Sequence, residues 1–98
     1  RLRGYRILAR RHGGPMGEID LIARRGTILV AIEVKARADL DLGFASVSPR
    51  QRQRIARTLR HYQAQKPSLE ALDLRVDLVI MRPWCLPVVI SDVWHPDG

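Results

Sequence analysis

Three charged residues sit where the surrounding sequence has little room for charge. From Gly17 to Arg37 the chain reads GEIDLIARRGTILVAIEVKAR, two apolar runs joined by a turn, with Asp20, Glu33 and Lys35 inside the runs. Charges are depleted from strand interiors and costly to bury unless they pair or hold a metal. Two carboxylates are hard oxygen donors. With a backbone carbonyl, here that of Val34, they suit Mg²⁺ or Mn²⁺, ions that keep several waters for a substrate phosphate to displace. A lysine two residues beyond Glu33 on the same strand face can orient or deprotonate a water and neutralise charge gathering on phosphorus oxygens. That is metal-assisted phosphodiester hydrolysis in outline.

The two runs must be strands in register for this chemistry to assemble. Arg25-Gly26 reads as a two-residue hairpin turn, with glycine supplying a positive φ. Such a turn pairs Arg24 with Thr27, Asp20 with Ala31 and Glu18 with Glu33. Period-two alternation then puts Glu18, Asp20, Glu33 and Lys35 on one face, with Asp20 and Glu33 on a diagonal. Ile19, Leu21, Ile28, Val30, Ile32 and Val34 take the other face.

Asp20, followed after twelve residues by Glu33-Val34-Lys35, resembles the D-x(n)-(D/E)-x-K signature of the PD-(D/E)xK nuclease superfamily. The longer pattern, GEIDLIAR then VAIEVKAR, is similar to archaeal Holliday-junction resolvases. It is more similar still to the YraN-like family of small bacterial proteins. The likeness runs from Gly4-Tyr5-Arg6-Ile7-Leu8 through Val47-Ser48-Pro49-Arg50 to Arg75-Val76-Asp77. It implies a restriction-endonuclease-like fold and a metal-dependent endonuclease acting on branched or distorted DNA, with Gln51 and Arg54 near the site. By the same likeness an N-terminal helix would bring a further metal-site glutamate. The stretch before the first strand here carries no such helix, so residues 1–98 are read as a single nuclease-like domain without it. Glu18 and Gln51 stand as auxiliary candidates.

The bulk properties point the same way. Ninety-eight residues, nearly half of them apolar, make one domain with a modest core. A net charge of +7, carried by fifteen arginines and two lysines, favours a polyanionic partner, and arginine suits bidentate phosphate contact. No run of eighteen apolar residues and no amphipathic anchor argues for a membrane, so nucleic acid leads. The lone Cys85 excludes an internal disulfide framework and fits a reducing, cytoplasmic setting.

Along the chain, residues 1–12 read as a first strand and His12 to Gly17 as a loop, with His12 solvated. The loop from Ala38 to Val47 holds Asp39 and Asp41, which favour local turn hydrogen bonds and are left out of the site. Ser48-Pro49 is a helix start, and the helix should run to about Gln65, before Lys66-Pro67. Ile55, Leu59 and Tyr62 form its buried stripe. Arg50, Arg54, Arg57 and His61 form the opposite face, and with no acid in the helix to balance them they read as phosphate contacts, together with Arg37. LRVDLVIM is a strand with Leu74, Val76, Leu78 and Ile80 inward, and Asp77 reads as a buried carboxylate satisfied by an arginine. Val88 to Trp94 is an edge strand. Trp84 and Trp94 read as core or lid residues rather than base-stacking ones.

The expected architecture is α/β: a mixed sheet of four or five strands with the basic helix on one face. Two other functions remain open, a nucleic-acid-binding module on the same fold without turnover and an interaction protein touching RNA. A homodimer follows only by analogy with junction-resolving enzymes.

Overall fold

Gly26 and Thr27 reverse the chain between two strands, and the sheet grows outward from that turn. The structure is a computed structural model describing residues 4–14, 17–38 and 47–94; within these ranges the side chains of 14, 17, 18 and 92–94 are not described. The strands are β1 (Arg6–Gly14), β2 (Gly17–Arg25), β3 (Ile28–Ala36), β4 (Asp73–Met81) and β5 (Val88–Trp94). The helix α1 (Pro49–Ala64) and a short 3₁₀ turn (Pro67–Leu69) lie between β3 and β4. The sheet order is β1-β2-β3-β4-β5. Only β3 and β4 pair in parallel, which requires a crossover, and α1 supplies it. This mixed five-stranded sheet with a crossover helix is the restriction-endonuclease-like arrangement that the sequence pattern implies.

The helix begins and ends for local reasons. Ser48 caps it, its hydroxyl accepting from the Gln51 amide at 3.2 Å, and Pro49 occupies the first turn, where no amide is missed. The Gln63 side-chain amide donates to the carbonyls of Leu69 (3.0 Å) and Leu72 (2.9 Å), tying the exit of the helix to the entry of β4. Ile55, Leu59 and Tyr62 are buried against Ile22, Leu29, Ala31, Val76, Leu78 and Ile80 of the sheet. At about 1.5–3 kcal/mol per large apolar side chain, this stripe holds the helix down rather than any intrinsic propensity.

The opposite face of the sheet has no described helix over it, yet Ala23, Val30 and Ile32 are buried there, flanked by Tyr5, Ile7, Leu21, Ile28 and Val79. Part of the cover is polar. The Arg75 guanidinium donates to both Asp77 oxygens at 2.9 Å and, through Nη2, to the Tyr5 hydroxyl at 2.7 Å. The register runs Ile7, Ala23, Val30, Arg75 across four strands, so Tyr5 and Arg75 meet above β2 and β3. Arg25 stacks on the Tyr5 ring, 5.2 Å from its centroid. Burial works against the Arg75 charge, but the hydrogen bond and attraction to Asp77, then those to Tyr5, outweigh it and push its pKa up.

Several expectations need correction. β1 starts at Arg6, later than the sequence suggested, and continues through Gly14. His12 is therefore a strand residue opposite Ile19, partly buried, with its ring edge-on to Tyr62 at 4.9 Å, and not a solvated loop residue. The β1–β2 ladder persists to Gly14 and Gly17, which is why no longer loop forms there. Trp84 is neither core nor lid: it is fully exposed, in a turn where the Cys85 amide donates to the Arg82 carbonyl at 3.3 Å. Pro83 pre-sets the first corner of that turn and leaves Trp84 at φ +60°. The loop residues Asp39 and Asp41 and the side chain of Trp94 lie outside the described residues.

Candidate active site

The hairpin register that brings the carboxylates together differs by two residues from the one the sequence suggested. Arg25 pairs with Ile28, so the turn is Gly26-Thr27, with Gly26 at φ +57° and Thr27 at negative φ. A positive φ at the first central residue alone is the II′ pattern, and the twist of that turn suits the strands. Ladder pairs then run to Leu21 opposite Ile32, where the regular ladder ends; one further step in the same register would set Asp20 across from Glu33 rather than on a diagonal. A two-residue shift preserves the face of each side chain wherever the ladder is regular, from Leu21 to Ile32.

Asp20 takes the place of a ladder partner. Its Oδ2 accepts from the Val34 amide at 2.8 Å, while its own amide points at Glu33 Oε1 at 3.4 Å. Each carboxylate thus meets a backbone N–H on or next to the other's strand, and the two acids are held side by side. The strand changes phase here. Ile19 joins Ile22 in the helix-side core, whereas Leu21 packs on the other face, so Ile19 does not share a face with Leu21 as strict alternation required. An aspartate that bonds within the plane of the sheet is the local cause.

Glu33 is buried, 3% exposed, at the point where the inward pattern of β3 gives way to partly exposed Lys35 and exposed Val34, Ala36 and Arg37. A carboxylate so placed is costly unless it is hydrogen-bonded or neutralised. β3 leaves the sheet at this end, and α1, carrying the chain back toward the start of β4, begins here. In the first helical turn Gln51 is partly buried and Arg50 exposed, and Arg54 is exposed one turn on. Arg57 and His61 are exposed further along the helix.

The donor set suits a hard divalent cation. Among the described residues no three His, Cys, Asp or Glu side chains converge. Asp20 and Glu33, with the Val34 carbonyl, make a two-carboxylate site of the kind that leaves most of the coordination sphere of Mg²⁺ to water and substrate. The side chain of Glu18 is not among those described, so its auxiliary role has no geometry here.

Residues 1–81, which carry all of these positions, match the family model described as Uncharacterised protein family UPF0102. The chain belongs to that family. UPF0102 is the family of the YraN-like proteins. A UPF0102 protein of Paramagnetospirillum magneticum is 45% identical over 101 residues, covering 99% of this chain and 78% of its own. One from Parvibaculum lavamentivorans is 44% identical over 96 residues, covering 98% and 72%, and one from Maricaulis maris 47% over 94 residues, covering 96% and 74%. The UPF0102 match ends at Met81, so β5 lies beyond it.

Of the residues that the sequence grouped, hydrogen bonds link Asp20 with Glu33 and with the Val34 amide, and Lys35 follows two residues after Glu33 on β3. It missed Arg82, which follows β4 next to this end of the sheet; nothing in its immediate sequence, MRPW, distinguishes it from a linker arginine. It also missed Tyr5 as the far partner of Arg75. The only signal for it was an aromatic residue ahead of an otherwise basic strand.

Proposed function

We propose that this UPF0102 protein is a metal-dependent nuclease that hydrolyses phosphodiester bonds in DNA, with branched or distorted structures as its substrates. The observation that carries the reading is the pair of carboxylates, Asp20 and Glu33, held side by side through backbone amides, with Lys35 two residues further along β3. Asp20, Glu33 and the Val34 carbonyl would hold Mg²⁺ or Mn²⁺, which when bound polarises a phosphoryl oxygen and makes water a nucleophile near neutral pH. Lys35 neutralises charge that develops on the phosphoryl oxygens and orients the attacking water. The basic face of α1 (Arg50, Arg54, Arg57 and His61), with Gln51 at its start and Arg37 after β3, holds the phosphate backbone against the site. A chain carrying +7 has the electrostatics for it. A two-fold dimer would match the symmetry of a four-way junction.

A second reading, a nucleic-acid-binding module with little or no turnover, draws on the same exposed basic residues of α1, Arg50, Arg54, Arg57 and His61. Lys35 separates the two. In the nuclease, Lys35→Ala lowers the rate of junction cleavage in Mn²⁺ by a few hundred-fold, the loss of about 3–4 kcal/mol of transition-state stabilisation. Junction affinity in Ca²⁺ changes by less than about tenfold, because little ground-state binding is lost. Equal losses in rate and affinity would make Lys35 a phosphate-binding cation, and absence of cleavage by the parent would favour the binding module.

A further inference from the structure

Beyond the carboxylate pair, β3 and β4 end together, with the Arg37 amide donating to the Met81 carbonyl at 3.0 Å. A groove of ≈ 360 Å³ opens at this exit, lined by Ala36, Arg37, Ala38, Met81, Arg82 and Pro83. Among the described residues its lining contains two arginines and no acid. Continuing the parallel register one step past Ala36 and Met81 sets Arg37 beside Arg82. Like charges directly opposite one another are unfavourable unless an anion lies between them. Arg37 donates from Nη1 to the Ala36 carbonyl at 2.7 Å, a neutral partner that leaves its charge in place. Arg82 Nε is buried and has no hydrogen-bond partner among the described residues. Arg82 as a whole is partly exposed and lines the groove, so its side chain is within reach of a ligand there.

The next residues add an aromatic face. Trp84 is fully exposed and held at φ +60°, a setting that side chains of its bulk rarely adopt, and Pro83 fixes the approach to it. A tryptophan that bears both costs, solvent exposure and backbone strain, covers no core. Arg37 stands two residues beyond Lys35, about 6–7 Å along the strand, or roughly two nucleotides of duplex rise. Base stacking on an exposed aromatic beside a basic groove is the usual way of gripping unpaired strands.

We propose that this corner clamps the backbone of a nucleic-acid strand through Arg37 and Arg82 and stacks an unpaired base on Trp84. The inference deepens the nuclease reading and rests on it for the choice of partner. It makes the substrate a strand with unstacked bases close to the scissile bond, such as a flap, a gap or the open centre of a junction, and not an intact duplex.

The test uses the Trp94→Phe background, so that Trp84 alone fluoresces, and oligonucleotides in Ca²⁺. A duplex with a single-stranded flap quenches Trp84, and a blunt duplex of the same length does not. Trp84→Ala weakens flap binding by at least about fivefold and leaves blunt-duplex binding unchanged. Arg82→Ala and the milder Arg82→Gln, both checked for an intact melting transition, weaken both ligands. Each phosphate that is no longer neutralised lowers the salt slope on duplex by about 0.9, which is about eightfold in affinity at 0.1 M salt. Quenching without cleavage by the parent would sustain this corner and retire the hydrolytic reading. Cleavage by the parent with silent Trp84 fluorescence and unchanged Trp84→Ala affinity would overturn the corner and leave the nuclease standing. No fluorescence response to any oligonucleotide overturns it as well.

Discussion

Replacing Asp20 by Asn asks whether the carboxylate is there for a metal or for the fold, and the geometry gives both sides of the balance. In metal-free buffer the substitution keeps an acceptor for the Val34 amide but makes it neutral. A hydrogen bond to a charged acceptor is worth about 1.5–3 kcal/mol and to a neutral one about 0.5–1.5, so about 1 kcal/mol is lost. Against this, residues directly opposite across an antiparallel pair have β-carbons about 5 Å apart. Two carboxylates at that separation repel by about 1 kcal/mol in a water-like medium and about 3 at an effective dielectric of 20. The apo variant should therefore be as stable as the parent, or more stable by up to about 2 kcal/mol. With Mn²⁺ at ten times its Kd the parent gains about 1.4 kcal/mol, which for a domain of this size raises Tm by about 6–11 °C. Asp20→Asn should show no such rise. Differential scanning calorimetry with and without Mn²⁺ reads both arms. A variant that unfolds without metal, or that keeps the full Mn²⁺ shift, would refute the reasoning.

Replacing Arg50, Arg54 and Arg57 together by Ala should weaken DNA binding equally for all sequences, with the salt slope falling by about 0.9 for every phosphate left unneutralised; unchanged titrations in a folded triple variant would remove the helix face from the interface. Asp77→Ala should cost about 3–5 kcal/mol by leaving partly buried Arg75 without its carboxylate, and adding Arg75→Met should recover much of the loss in urea unfolding curves. Burial raises the Tyr62 pKa, so the native state keeps this proton after the unfolded chain begins to release it near pH 10. Stability from this source is complete below pH 10 and falls as pH climbs through the raised native value. Tyr62→Phe should flatten the alkaline limb of a stability–pH profile while leaving neutral stability little changed.

The nearness of Asp20 to Glu33 was legible because moving the turn from Arg25-Gly26 to Gly26-Thr27 shifts every ladder pair by two and keeps the same stretches of β2 and β3 side by side. The phase change between Ile19 and Leu21 was not, because the sequence pattern offers only strict alternation and the Asp20 bond to the Val34 amide breaks it. The helix was legible at both ends because Ser48-Pro49 and Lys66-Pro67 act through local backbone chemistry. His12 was misread because Gly-Gly-Pro suggested a loop, while its partner Tyr62 lies fifty residues away. The Trp84 reading failed for a related reason. Tryptophan burial is a statistical habit, and only the turn at Pro83 reveals that this side chain has nothing to pack against. The Tyr5–Arg75 contact joins strands that are not neighbours, and no periodicity along either one encodes it.

That contact has a consequence for how the chain reaches its native state. β1, β2 and β3 form by successive reversals between sequence neighbours, whereas every β3–β4 pair, from Ile28 with Asp73 to Ala36 with Met81, joins residues 45 positions apart. Closing so long a loop is entropically slow, so the meander should assemble ahead of the parallel joint. Arg75 reaches the sheet with Asp77 two residues away on its own strand, able to pair before docking. The hydroxyl of Tyr5, which accepts from Arg25 at 3.5 Å within the meander, gains its shorter bond from Arg75 only once β4 is home. The first described strand is thereby latched by the fourth, and amides of β1 should exchange with solvent on the timescale of β4 release rather than fray as an edge.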